Sequence, residues 1–239
     1  MENTRTKTTR NSLILLLTAA IWGMAFVSQS KGMDYMHPFT FNGVRSLIGA
    51  ASILVYILIS RKIAGDKAAP LDWKLNVKAG LLCGIFLTIA STLQQFGIKY
   101  TSVGKAGFIT TLYIIFVPMF GIFLKKKVAP VVWAAAVMAA VGMYLLCMTE
   151  SLRLGAGDIM VFLCAIAFAI QIMTVDHYAA RIDGAVVSCI QFTVCGVVCC
   201  IGALIWGQPT FGQLQEGLGA LLYAGVLSCG VGYLSLIHI

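Results

Sequence analysis

The chain has 239 residues, of which 59% are hydrophobic and only 11% charged, with a formal net charge of +8. A soluble domain typically carries about a quarter charged residues and uses them to cover its surface, so a water-exposed exterior is excluded. Long apolar runs recur along the whole chain between short polar connections, the pattern of an all-α polytopic membrane protein.

The first predicted helix, 13–30, follows Arg5, Lys7 and Arg10. It lacks a small-residue cleavage motif and precedes further spans, so it reads as a retained first crossing rather than a removed leader. Helices follow at 41–60, 77–98, 103–124, 130–147, 157–175, 185–206 and 217–235, each close to the roughly 20 residues that cross a hydrocarbon core. Lys99 to Lys105 interrupt the apolarity between the third and fourth, which separates two crossings. The fourth contains Pro118, a predicted bend, and is closed by Lys125, Lys126 and Lys127.

Lys and Arg gather on alternate connections. Arg5, Lys7 and Arg10, then Arg61, Lys62, Lys67, Lys74 and Lys78, then Lys125 to Lys127, then Arg181 fall on one side. Lys31, Lys99, Lys105 and Arg153 fall on the other. The positive-inside rule places the N-terminus and the even-numbered loops in the cytoplasm. Charge distributed in this way sets orientation in a membrane and builds no nucleic-acid face.

The sequence echoes itself. LTAAIWGMAF at 17–26 resembles LCAIAFAIQI at 163–172, and AGLLCGIF at 79–86 lines up better with AGVLSCGV at 224–231. Five helices separate the copies, so the second is expected upside down, giving inverted repeats over 13–147 and 157–239. Such repeats are a recurring construction of secondary transporters. On that reading about eight of ten expected helices are present, because SLIHI at 235–239 ends inside an apolar run, and the chain is expected to be C-terminally truncated.

Polar residues fall at helical spacing within the apolar runs. Trp22, Ala25 and Gln29 share one face of the first helix, and Thr88, Ser91 and Gln95 one of the third, with Gln94 beside them. Gly107, Thr111, Ile114 and Pro118 align on the fourth, with Thr110 and Tyr113 nearby; Gln171, Ser188 and Gln191 follow on the sixth and seventh. Groups of this kind need partners in lipid and point inward, either as interhelical hydrogen bonds or as a polar path. Arg45 lies a few residues inside the second helix, with Asp34 in the preceding loop as a candidate partner; gating or solute attraction stands beside membrane anchoring as its role. Asp158 follows Gly155 and Gly157 at a helix start and is expected to cap it.

Eight cysteines lie mostly inside apolar runs and read as small packed hydrophobes. Cys195, Cys199 and Cys200 lack His or acidic partners at metal-ligand spacing, so no metal is expected. There is no phosphate loop and no convergent catalytic group, so neither a cofactor nor enzyme activity is expected. A gradient-driven or passive carrier remains, with a membrane receptor or structural protein as the alternative.

AAIWGMAFVSQSKGMDYMHPFTFNGVRSLIGA at 19–50 carries Trp22–Gly23, the Pro38 loop and Arg45. QQFGIKYTSVGKAGFITTLYIIFVPMFGIFLKKK at 94–127 carries a Tyr-Thr-Ser turn, small residues, Pro and a charged end. Both stretches resemble the drug/metabolite transporter superfamily, specifically its EamA-type members. The resemblance implies a ten-helix carrier of two inverted five-helix repeats in the cytoplasmic membrane, moving a small metabolite whose identity the fold does not choose. By similarity Trp22, Gln95, Thr110, Tyr113 and Gln171 are the candidate cavity lining. The departure at 235–239 makes an inactive fragment one reading of this exact polypeptide, and homodimerisation stays open.

Overall fold

The computed structural model describes residues 2–65, 71–123, 130–148 and 155–238, and the described secondary structure is helical throughout. In chain order the α-helices are α1 (Glu2–Gly32), α2 (Pro38–Ala64), α3 (Trp73–Tyr100), α4 (Val103–Thr111), α5 (Tyr113–Phe123) and α6 (Pro130–Met148). They are followed by α7 (Ala156–Tyr178), α8 (Gly184–Gly202), α9 (Phe211–Glu216), α10 (Leu218–Leu222) and α11 (Tyr233–His238). Two π-helical stretches, Ala203–Gly207 and Tyr223–Gly232, continue α8 and join α10 to α11.

Seven described segments are long and apolar enough to cross a membrane: Thr9–Gly32, Pro38–Ala64, Trp73–Tyr100, Val103–Phe123, Ala156–Arg181, Gly184–Gly207 and Leu218–Ile237. The eighth expected crossing, 130–147, is the 19-residue helix α6 and is not among those seven. The lysines Lys125 to Lys127, Lys67 and the loop residues Glu150 and Arg153 lie outside the described residues.

Local chemistry sets the helix starts. Asp72 accepts the Leu75 amide at 3.0 Å, Ser102 the Lys105 amide at 3.2 Å, and Asp183 the amides of Ala185 and Val186 at 3.0 and 3.2 Å. Each satisfies N–H groups that a first turn leaves unpaired. Asp158 acts as expected: it accepts the Gly155 amide at 2.9 Å and also the Thr101 hydroxyl, which ties the start of α7 to the end of α3. His37 caps α2 by accepting the Phe39 amide. Burial first, and the Lys99 charge second, hold its imidazole below the ordinary histidine pKa, which keeps the accepting nitrogen unprotonated.

The fourth crossing differs from expectation. It breaks at Leu112, upstream of Pro118, which lies inside α5. Thr110 and Thr111 donate to the carbonyls of Ala106 and Phe108, both at 2.7 Å, and such back-bonding competes with the helical ladder and bends it. The expected stripe is therefore not continuous: Thr110 and Pro118 are buried, whereas Thr111 and Ile114 are exposed.

Glycines let the helices meet. A Cβ on Gly157 of α7 would stand 2.7 Å from the Tyr100 carbonyl carbon and 2.8 Å from the Gly97 oxygen, both in α3. Gly80 and Gly84 of α3 face Ile190 and Val194 of α8, Gly43 of α2 faces Cys200, and Gly225 faces Ile48 of α2. Close approach through small residues is the usual basis of helix association in lipid, where no hydrophobic gradient drives it. α2 and α3 thus form the centre with α7, α8 and the segment 218–238, while α4 and α5 lie against α7 and α1 against 218–238. α1 is the least covered span, with 11% of its apolar window buried against 50% for α3. At one end of the bundle Arg61, Asn76 and Asp183 join α2, α3 and α8: Arg61 pairs with Asp183 at 3.4 Å, and Asn76 accepts the Asp183 amide at 2.8 Å.

Candidate functional site

Many polar residues of the apolar helices turn inward, though Thr111 does not. Gln29, Asn42, Arg45, Ser46, Ser91, Gln94, Gln95, Thr110, Gln171, Ser188 and Gln191 are all 6% exposed or less. Hydrogen bonds gather the polar side chains of the interior into four groups.

The first group is centred on α2. Asn42 donates to Ser91 Oγ at 3.0 Å and to Cys199 Sγ at 3.2 Å, and its Oδ1 accepts Arg45 Nε at 3.0 Å. Ser46 and Ser91 both reach Cys195 Sγ, at 3.4 and 3.3 Å, and Thr92 reaches Cys199 Sγ at 3.5 Å. Cys195 and Cys199 therefore do more than pack, because they take part in a buried polar network. Arg45 differs from expectation as well. It is 6% exposed, and the partner expected for it, Asp34, is exposed and makes no ion pair with it.

The second group ties α1 to the segment 218–238. The Trp22 indole donates to the Ser228 carbonyl at 3.2 Å, Ser28 to the Ala220 carbonyl at 2.8 Å, and Tyr223 to the Ile21 carbonyl at 3.2 Å. The rings of Trp22 and Tyr233 meet at a tilt of 57° with centroids 5.7 Å apart, and Tyr233 also meets Phe192 edge-on at 4.7 Å. Trp22 thus meets a residue that sequence reading did not single out, Tyr233.

The third group joins α1, α3 and α4. Gln95, fully buried, donates to the Gln29 backbone oxygen at 3.2 Å, and Gln94 donates to Thr110 at 3.3 Å. The Oε1 atoms of Gln29 and Gln95 are buried without a partner, which is costly unless a donor reaches them. The fourth group is Gln171 with Gln191, whose side chains bond at 2.9 Å between α7 and α8. Asn42 was legible in principle, since Asn42, Arg45, Ser46 and Gly49 recur at helical spacing on one buried face of α2.

An open groove of about 510 Å³ lies between α3, α5 and α7, with Phe86, Phe120, Met173 and His177 in its walls. None of the sequence-predicted residues lines it, and its walls are mainly apolar. Among the described residues, no cluster of three or more His, Cys, Asp or Glu could hold a metal.

Apolar helices that keep their polar side chains for one another define a multi-spanning membrane protein with a polar interior. The chain belongs to the EamA-like transporter family, whose model matches residues 10–148. It is 31% identical over 171 residues to an uncharacterized transporter of Archaeoglobus fulgidus, a match covering 69% of this chain and 48% of that protein. It is 25% identical over 237 residues to an uncharacterized transporter of Clostridium kluyveri, and 26% identical over 226 residues to the uncharacterized transporter YwfM of Bacillus subtilis. Both of these matches cover 93% of this chain and 74% of the relative. The chain thus spans about half the length of the first relative and about three quarters of the other two. The family is one of transporters rather than enzymes.

Proposed function

We propose that the chain works in a secondary carrier that moves a small metabolite across the cytoplasmic membrane by alternating access between inverted halves, 13–147 and 157–239. One observation carries this reading: the helix contacts come in mirrored pairs. α3 runs antiparallel to α7, as Gly97 against Gly157 requires, and 218–238 runs antiparallel to α1, as Trp22–Ser228 and Ser28–Ala220 require. α3 runs parallel to α8, and 218–238 runs parallel to α2. The echoed pairs Ala79–Gly80 and Ala224–Gly225 occupy matching places, with Gly80 on Ile190 of α8 and Gly225 on Ile48 of α2. The α2–α8 contact maps onto itself. The family match over 10–148 coincides closely with the proposed first half.

Exchanging the conformations of two such halves exchanges the side on which the interior opens. The lining candidates are Trp22, Gln95, Thr110 and Tyr113, with Gln171 in the second half, and the unpartnered oxygens of Gln29 and Gln95 are acceptors available to a solute. The end bearing Arg61, Lys62, Lys74, Lys78 and Arg181 is assigned to the cytoplasm.

Reporter fusions at residues 65 and 150 are expected on opposite sides, 65 cytoplasmic; finding both on one side overturns the five-helix inversion. Proteoliposomes of the protein are expected to show substrate-dependent flux or counterflow for at least one member of a panel of amino acids, nucleobases and sugars. No flux or counterflow across the panel counts against a carrier.

A further inference from the structure

Resting on the carrier reading, we infer that Arg45 is the docking point for an anionic group, a carboxylate or equivalent monoanion, borne by the solute. A guanidinium has five N–H donors and stays charged at all working pH values. Among the described residues Arg45 uses one of them, Nε to Asn42 Oδ1 at 3.0 Å. The four N–H groups on its two terminal nitrogens have no partner there, although the residue is only 6% exposed. Phe41 lies under the guanidinium carbon at 5.8 Å, which covers one face and leaves the edge as the place for a ligand.

No carboxylate compensates this charge: Arg61–Asp183 is the one ion pair among the described residues. An isolated buried charge costs several kcal/mol even after relaxation, and charged side chains within membrane spans are kept for pairing or for a solute path. A planar anion fits, because two terminal nitrogens of a guanidinium bind two carboxylate oxygens in parallel. The surroundings suit the rest of such a solute. The Phe41 ring stands beside the guanidinium, so an apolar or aromatic body next to the anionic head finds a ring to lie against.

The test uses the protein in lipid nanodiscs, with benzoate, benzamide and benzylamine as probes and intrinsic tryptophan fluorescence as the readout. Benzoate is expected to bind saturably, at least tenfold more tightly than benzamide or benzylamine. Arg45→Gln should weaken benzoate at least tenfold and leave benzamide unchanged, while Arg45→Lys falls between. Asn42→Asp, which supplies a carboxylate beside the guanidinium, should also weaken benzoate. Absence of saturable benzoate binding, or equal binding of benzoate and benzamide by the wild type, overturns the inference without recourse to any variant. So does an Arg45→Gln protein that elutes as a monodisperse species and binds benzoate normally. Displacement of benzoate by an equal concentration of chloride would identify a site for inorganic ions and overturn the solute reading. Benzoate binding without flux of any solute rejects the carrier alone; flux without preference for anionic solutes rejects the Arg45 assignment alone.

Discussion

Gly157→Leu is expected to yield no folded protein. A Cβ at this position already meets α3 backbone, 2.7 Å from the Tyr100 carbonyl carbon and 2.8 Å from the Gly97 oxygen. Backbone atoms cannot rotate aside as a side-chain tip can, so α3 and α7 must separate. Overpacking by added methylenes costs about 1–3 kcal/mol in a well-packed core, and a leucine adds three carbons beyond the first offending one. Separating the helices also strains the Thr101–Asp158 bond, which joins the same two helix ends. Gly157→Ala should be the milder version, with a lowered unfolding temperature. Gly23→Ala and Gly142→Ala are the controls: a Cβ at either meets nothing within 4 Å. They should be neutral or stabilising by up to about 1 kcal/mol, the helical cost of glycine relative to alanine. Size-exclusion profiles and thermal unfolding in detergent decide the matter, and a Gly157→Leu protein that matches the wild type in both contradicts the α3–α7 contact.

Asn42→Leu is expected to produce the second large effect, a loss of about 3 kcal/mol or more. Hydrogen bonds to charged groups contribute about 1.5–3 kcal/mol, and a buried group left unsatisfied costs about 1–3 kcal/mol. Asn42 is 1% exposed and is the only group that bonds Arg45 among the described residues. Leucine would strip the guanidinium of that acceptor and deprive Ser91 and Cys199 of their donor. Asn42→Asp keeps an acceptor for Arg45 and should recover most of the loss. Thermal unfolding of the two variants beside the wild type measures the difference; equal midpoints for Asn42→Leu and Asn42→Asp would show that the Arg45 contact contributes nothing.

Much of the architecture is legible because each span is judged by the bilayer largely on its own. The separation of the third and fourth crossings at Thr101–Ser102 follows from Lys99 to Lys105 and from the capping serine. The role of Asp158 follows from its place after two glycines. The bend of the fourth crossing was less legible. Proline is the stronger local signal, yet adjacent threonines turning onto Ala106 and Phe108 place the break at Leu112. The echo at 79–86 and 224–231 is visible but weak in the sequence, and the seating of Gly80 on Ile190 and of Gly225 on Ile48 came only from the packed helices.

The sequence by itself determined that this is an all-helical, multi-spanning membrane protein of the EamA type. Those properties depend on length, hydropathy and spacing within one segment, because a helix in lipid must satisfy its own backbone. Only the tertiary structure decided the partners. The indole of Trp22 is satisfied by a carbonyl 206 positions away, Cys195 and Cys199 join Asn42 rather than merely fill space, and Arg45 is buried without an acid among the described residues. Such pairings depend on which helices come together and in what rotation, and no single segment contains that information. The charge at Arg45 was visible from the outset, but its lack of a compensating carboxylate among the described residues emerged only from the packed bundle.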